Sequence, residues 1–204
     1  YVSFSADDNA NKGDVFVMDG GRIQNCSSTD RGGAIFLGAN TKAIMDNGLI
    51  ESCSAVNGGG AVYIYIGAAF KMNNGTIQKT ESANGGAVCV NGSIFTMNGG
   101  AITKCTAKDS SGGAVYVMNG SAETAKFIMT NGQISECEAG KHGGGVYLTD
   151  TAEFVMSDGT ISACKGGSYG DGGGVYLQCS AKFTMRNGSI YNCSASGGGG
   201  IWAQ

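Results

Sequence analysis

The sequence predicts an all-β chain wound as a parallel β-helix, a single solenoid over residues 1–204 with three sheets and about seven coils of 25–32 residues. Three observations predict it. One unit recurs along the whole chain: a Phe-x-Met piece, an isolated Ile, a Gly pair and a Val-aromatic-Val piece, as in residues 95–117. Its Met falls at Met18, Met45, Met72, Met97, Met129, Met156 and Met185, at spacings of 27, 27, 25, 32, 27 and 29. Repetition at this period marks coils that stack one on the next. Each apolar piece also alternates with period two, the signature of a strand. Finally, Gly supplies 37 of 204 residues, and an interior Gly costs a helix about 1 kcal/mol relative to Ala.

Within each coil the elements follow in a fixed order. In the first piece Phe95 and Met97 share a face and Thr96 opposes them. The opposing place holds Val17, Ile44, Lys71, Thr96, Ile128, Val155 and Thr184; it accepts a lysine and so faces out. Asn47-Gly48, Asn74-Gly75, Asn131-Gly132, Asp158-Gly159 and Asn187-Gly188 come next. Such pairs usually signal a hairpin. Here no antiparallel partner follows, so they read as corners, with Gly supplying a left-handed backbone. The second piece centres on Ile23, Ile50, Ile77, Ile102, Ile134, Ile161 or Ile190, flanked by polar residues, so only the Ile is buried. The Gly pair follows at Gly32-Gly33, Gly59-Gly60, Gly85-Gly86, Gly112-Gly113, Gly144-Gly145, Gly173-Gly174 and Gly199-Gly200. In the third piece Val115 and Val117 point in and Tyr116 points out.

Strands this short cannot pair within their own coil, so each pairs with its counterpart in the next. At about 4.8 Å per strand, seven coils make a rod of about 34 Å. Length varies mainly at 118–126 and 165–171, as expected of loops on a regular scaffold. Residues 1–4 resemble a third piece, and the chain ends just after another, which reads as a segment of a longer protein.

Composition excludes several classes. Hydrophobic residues make up 42% and charged residues 14%, against disorder. A net charge of −3 gives no basic surface for nucleic acid. No run of about 18 apolar residues could span a membrane.

Two columns stand out. Six cysteines, Cys26, Cys53, Cys105, Cys137, Cys164 and Cys193, sit three residues after the Ile, with Thr80 in that place once. Three readings are open: a buried ladder of thiols acting as small hydrophobes, disulfides between neighbouring coils, or metal ligands, whose spacing this does not match. Cys105 is expected to be buried and reduced. The second column is aromatic and outward: Phe36, Tyr63, Tyr116, Tyr147, Tyr176 and Trp202, with Cys89 in that place once. Stacked exposed rings could bind a glycan or a protein; equally, stacking could simply stabilise a sheet face. On an outward face Cys89 is expected to be the more reactive thiol.

No catalytic residue, metal or cofactor is expected. Arg22, Arg31 and Arg186 lie in separate coils, and the one histidine, His142, sits in a Gly-rich stretch beside Lys141. Adjacent carboxylates occur only at Asp7-Asp8 and at Glu136 and Glu138. An enzymatic alternative would need the loops at 5–14, 118–126 and 165–171 to build a cleft, with Asp7 or Asp171 in it. Six Asn-x-Ser/Thr sequons, at Asn25, Asn74, Asn91, Asn119, Asn187 and Asn192, follow readily from turn chemistry and would be glycan acceptors in a eukaryotic secreted protein.

The units resemble the right-handed parallel β-helix repeats of the pectate-lyase-like superfamily, and among these the non-enzymatic repeats of bacterial surface adhesins. They are also similar to the passenger repeats of chlamydial polymorphic outer membrane proteins, which carry GGA[IV] and FxxN. The chain has Gly32-Gly33-Ala34-Ile35, Gly59-Gly60-Ala61-Val62, Gly85-Gly86-Ala87-Val88 and Gly112-Gly113-Ala114-Val115, with FxxN at Phe70 to Asn73 and Phe95 to Asn98. The resemblance implies a right-handed helix in an extracellular or cell-surface structural or adhesive rod. Its expected partners are a host or cell-surface glycan or protein, or further copies of itself stacked end to end through third-piece strands.

Overall fold

A computed structural model describes residues 2–4, 15–120 and 124–204. Every strand pairing in it is parallel and runs from one coil to the next, and no helix occurs among the described residues. Three sheets wrap one core. The eight-stranded sheet runs from Val2–Phe4 through Ile35–Leu37, Val62–Ile64, Val88–Asn91, Val115–Met118, Val146–Leu148 and Val175–Leu177 to Ile201–Ala203. Its register places Phe36, Tyr63, Cys89, Tyr116, Tyr147, Tyr176 and Trp202 in one line.

The other two sheets divide the coil differently from the sequence reading. The Phe-x-Met and Ile pieces form a single 12-stranded sheet that bends at the Asn-Gly corner. In the first two coils the strand is continuous, Val15–Gln24 and Lys42–Glu51; later it splits, as in Ile94–Met97 and Ala101–Thr103. The third sheet consists of two-residue strands just after the cysteine, such as Ser54–Ala55 and Thr106–Ala107. Strands this short and polar leave too little alternation to be recognised in a sequence.

The corner explains two repeat signals at once. Gly48 has φ 108° and its N–H donates to Asn47 Oδ1 at 2.9 Å. A Cβ on Gly48 would lie 2.6 Å from the Met18 methyl. The same contact recurs one coil on, between Gly75 and the Met45 methyl, and again between Gly132 and the Met97 methyl. The Met and the corner Gly are therefore halves of one packing contact between successive coils.

A second corner lies directly before the cysteine column. Asn25, Ser52, Lys79, Lys104, Glu136, Ala163 and Asn192 all hold φ between 52° and 56°. Such a backbone is uncommon outside Gly and Asn, and the varied residue types there hid the turn. The glycines at the start of the third piece separate into two jobs. Gly112 takes φ 72°, while a Cβ on Gly113 would sit 2.1 Å from the Gly144 carbonyl oxygen of the next coil. In the last three coils this pair is Gly143-Gly144, Gly172-Gly173 and Gly198-Gly199. The third Gly there takes the place of Ala34, Ala61, Ala87 and Ala114, so the pair read from the sequence was one residue late.

Inside, Phe70, Phe95, Phe127, Phe154 and Phe183 stack with ring centroids 4.5–5.3 Å apart. They pack among the Met, Ile and Val columns, with Phe70 through Phe154 buried. Outside, the FxxN asparagines form a polar ladder. Asn73 donates to Asp46 at 2.6 Å, Asn98 to Asn73 at 2.8 Å and Thr130 to Asn98 at 2.9 Å.

Candidate functional site

The outward ring column is not an open face. Phe36 and Tyr63 stack at 5.5 Å, and Tyr116, Tyr147 and Tyr176 at 4.8 and 5.3 Å. Tyr63, Tyr147 and Tyr176 are nevertheless buried, Phe36 and Tyr116 half-buried, and only Trp202 is exposed. The expectation of a wet edge fails here for a specific reason: neighbouring coils cover each ring, and partners two residues further along the strand engage the hydroxyls. Tyr63 accepts from Asn91 at 2.9 Å, Tyr176 donates to Gln204 at 2.7 Å, and Tyr147 donates to Gln178.

A polar column runs beside the rings, five residues ahead of each: Arg31, Gly58, Asn84, Ser111, His142, Asp171 and Gly197. Their carbonyls join consecutive coils, as in Gly32 N–H to Gly58 O at 3.0 Å and Gly143 N–H to Asp171 O at 3.0 Å. Side chains here reach forward onto the rings. The Arg31 guanidinium lies over Tyr63 at 5.2 Å, and the His142 ring lies 4.5 Å from that of Tyr176.

At His142 this column meets the loop at 165–171 in a pocket of about 550 Å³ lined by Gly140, Lys141, His142, Ser168, Tyr169 and Gly170. The loop is fastened to the coils on either side of it. Gly167 N–H donates to Lys141 O at 2.7 Å, and Ser196 N–H donates to Gly170 O at 2.8 Å. A Cβ on Gly167 would lie 2.0 Å from the Gly140 oxygen, so glycine permits the close approach. Tyr169 stands 97% exposed on it. His142 Nδ1 accepts the Asp171 N–H at 3.0 Å, so in the neutral ring the proton sits on Nε2. The pocket thus offers an ammonium, an imidazole N–H and an exposed phenol face, groups that suit a hydroxyl-rich or anionic ligand. From the sequence His142, Lys141 and Asp171 were isolated charges; Tyr169 was not singled out, because a lone tyrosine in a loop carries no pattern.

The remaining candidates are dispersed. Glu136 faces Lys104 at 3.8 Å, and Glu138 lies exposed in the third sheet. Arg22 and Arg186 are exposed at opposite ends of the described coils. Asp7-Asp8 and the loop at 5–14 lie outside the described residues. Among the described residues no three His, Cys, Asp or Glu side chains gather as a metal site would need.

The six column cysteines carry free thiols; Cys53, Cys105, Cys137 and Cys164 are buried, and Cys26 and Cys193 half-buried. Each buried thiol donates to the carbonyl two residues back, as in Cys105 to Thr103 O at 3.3 Å. Thr80 fits the same place because its hydroxyl donates to Gly86 O at 2.7 Å. Cys89 corrects the sequence reading. It points away from the core, yet it is 2% exposed, and burial pushes its thiol up to about 12. The thiol lies between ring-bearing neighbours and cannot be the reactive one; Cys179 is the exposed thiol.

A family model described as right handed beta helix region matches residues 93–204, more than half of the chain. No curated protein and no solved structure matches the chain.

Proposed function

The chain belongs to the right-handed β-helix family, and from that premise we propose that it is an extracellular, non-catalytic surface rod that binds a cell-surface glycan at the His142–Tyr169 pocket. The observation that carries this reading is Tyr169, an almost fully exposed phenol on a fastened loop above a pocket containing Lys141 and His142. An aromatic face beside an ammonium and an imidazole N–H matches a sugar ring with hydroxyl or acidic substituents. Elsewhere charge joins coil to coil: Glu51 to Lys79 at 3.1 Å, Glu81 to Lys108 at 2.7 Å and Lys126 to Glu153 at 3.1 Å. That use of charge suits a rigid display scaffold.

The competing reading is a carbohydrate-active enzyme, favoured by the proximity of His142 Nδ1 to the Asp171 carboxylate at 4.0 Å. One panel of neutral and acidic polysaccharides tests both, scored for binding and for new reducing or unsaturated ends. The expected result is salt-sensitive binding without turnover, weakened about tenfold, or about 1.4 kcal/mol, in Tyr169→Ala and in Lys141→Ala. Turnover abolished in Asp171→Asn would overturn the non-catalytic reading, and failure of the wild type to bind any polymer would overturn the glycan.

A further inference from the structure

The spacing of the cysteine column disfavours one chemistry and suits another. Its main chain is tied coil to coil: Ser54 N–H donates to Cys26 O, Glu138 N–H to Cys105 O, Lys165 N–H to Cys137 O and Ser194 N–H to Cys164 O, each at 2.9 Å. Successive cysteines therefore stand one strand spacing apart, about 4.8 Å, with parallel side chains. The sulfurs lean toward the coil before their own: Cys53 Sγ lies 3.8 Å from Ile23 O, and Cys193 Sγ 3.8 Å from Ile161 O. Neighbouring thiols meet as hydrogen-bonded partners, Cys26 with Cys53, Cys105 with Cys137, and Cys164 with both Cys137 and Cys193.

A disulfide wants Cβ atoms about 3.8 Å apart, closer than parallel stacking sets them. A metal ion held in line between two sulfurs asks for more. At about 2.3 Å per metal–thiolate bond, its two sulfurs stand about 4.6 Å apart, which matches the column. Thiolates select soft ions such as Cu(I). An ion of this kind needs only a pair of donors, where no group of three forms among the described residues. Thr80 divides the column: its hydroxyl meets Cys105 Sγ at 3.3 Å, and it sets Cys26 and Cys53 apart from the run Cys105 to Cys193. Cys26 and Cys193 are half-buried, so the pairs Cys26–Cys53 and Cys164–Cys193 each have one sulfur within reach of solvent, while Cys105 and Cys137 are sealed.

We propose that the pairs Cys26–Cys53 and Cys164–Cys193 each bind one soft monovalent cation such as Cu(I), in line between the two sulfurs. On binding, both S–H protons leave to solvent and two metal–sulfur bonds form; no electron is transferred. The pair then carries one negative charge, which its half-buried member keeps near water. Because protons leave as the ion enters, affinity rises with pH. Zinc(II) takes four ligands, and each pair offers two, so the site discriminates against it. The pairs share no residue with the His142–Tyr169 pocket and do not depend on its reading.

Anaerobic titration of the reduced 204-residue chain with Cu(I), and with Ag(I) as a redox-inert substitute, tests the proposal. Cys179→Ser is built into every sample to remove the exposed thiol. Near-ultraviolet sulfur-to-metal absorption and native mass spectrometry are expected to saturate at one ion per pair. Cys26→Ser and Cys193→Ser should each halve the bound metal, and together they should remove it; Cys89→Ser should leave uptake unchanged. The bound ion should also protect Cys26 and Cys193 from alkylation, and lowering the pH should weaken its binding. Undiminished uptake by the double variant with native circular dichroism would overturn the site. So would zinc(II) bound as tightly as Ag(I), or the absence of saturable uptake by the Cys179→Ser chain. If serine at both places prevents folding, Cys26→Ala with Cys193→Ala takes its place, and unchanged uptake there would have the same force.

Discussion

Two columns of aromatic rings run the length of the molecule, one inside the coil and one outside, and each lacks a ring at one level. Inside, Ala43 stands between Phe16 and Phe70; outside, Cys89 stands between Tyr63 and Tyr116. The inner gap is sealed within the core, with Ala43 1% exposed in the apolar cluster. The outer gap is covered as well, with Cys89 2% exposed, but polar side chains, Asn57, Asn84 and Arg31, lie beside it. The same omission is thus absorbed by packing on both faces, among apolar neighbours inside and beside polar ones outside. The coil interior is apolar throughout, and the wall outside it is where polar side chains meet the rings.

Removing rings from the two columns breaks this comparison most sharply. Phe127→Ala empties the middle of the inner stack and should cost about 3–5 kcal/mol. Tyr147→Ala removes a ring between Tyr116 and Tyr176 but on the outer wall, and should cost about 2 kcal/mol. Urea unfolding of both variants checks the difference; equal costs would mean that the outer column contributes as much to the core as the inner one.

The exceptions within the columns give a smaller effect. Thr80→Val keeps the volume but removes the hydroxyl that donates to Gly86 O, and should cost about 1–3 kcal/mol by leaving a buried carbonyl short of a partner. Thr80→Cys restores the column's usual residue and should recover most of that loss. The smallest effect belongs to the surface pairs. Both partners of Lys108–Glu81 are about half exposed, so Lys108→Ala should shift stability by less than about 1 kcal/mol and still less at high salt. A large loss there would show that coil-to-coil charges do more than align the stack.

Much of this architecture was legible in the sequence because a solenoid repeats its instructions. Met, Ile and Val at fixed intervals gave the coil number, the inward faces and the eight-stranded sheet. What escaped detection depended on backbone shape or on partners several coils away. The left-handed corner before each cysteine carries Lys79, Glu136 or Ala163, residues with no turn signature. The third sheet is made of residue pairs such as Glu81–Ser82, too short to alternate. Direction along the wall was readable, but burial was not: Cys89 and Tyr63 point outward, yet neighbouring coils cover them. The His142–Tyr169 pocket needed the loop at 165–171 to fold back on Lys141, a contact set by glycines that look like any others in this chain.

The cysteines offer the most direct test of the account, since they report from seven coils and from both faces. Native-state thiol labelling followed by mass spectrometry should modify Cys179 first, Cys26 and Cys193 more slowly, and Cys53, Cys89, Cys105, Cys137 and Cys164 only on unfolding. The sign with pH is fixed by burial. The Cys89 thiol is raised from 9.0 to about 12, so its contribution to stability is complete below pH 9 and lost as pH rises toward about 12, where the unfolded chain has already released its proton. Labelling of Cys89 at pH 8 should therefore track global unfolding. Equal native-state labelling of Cys105 and Cys179 would contradict the coil itself, and rapid labelling of Cys89 alone would contradict the closed wall around it.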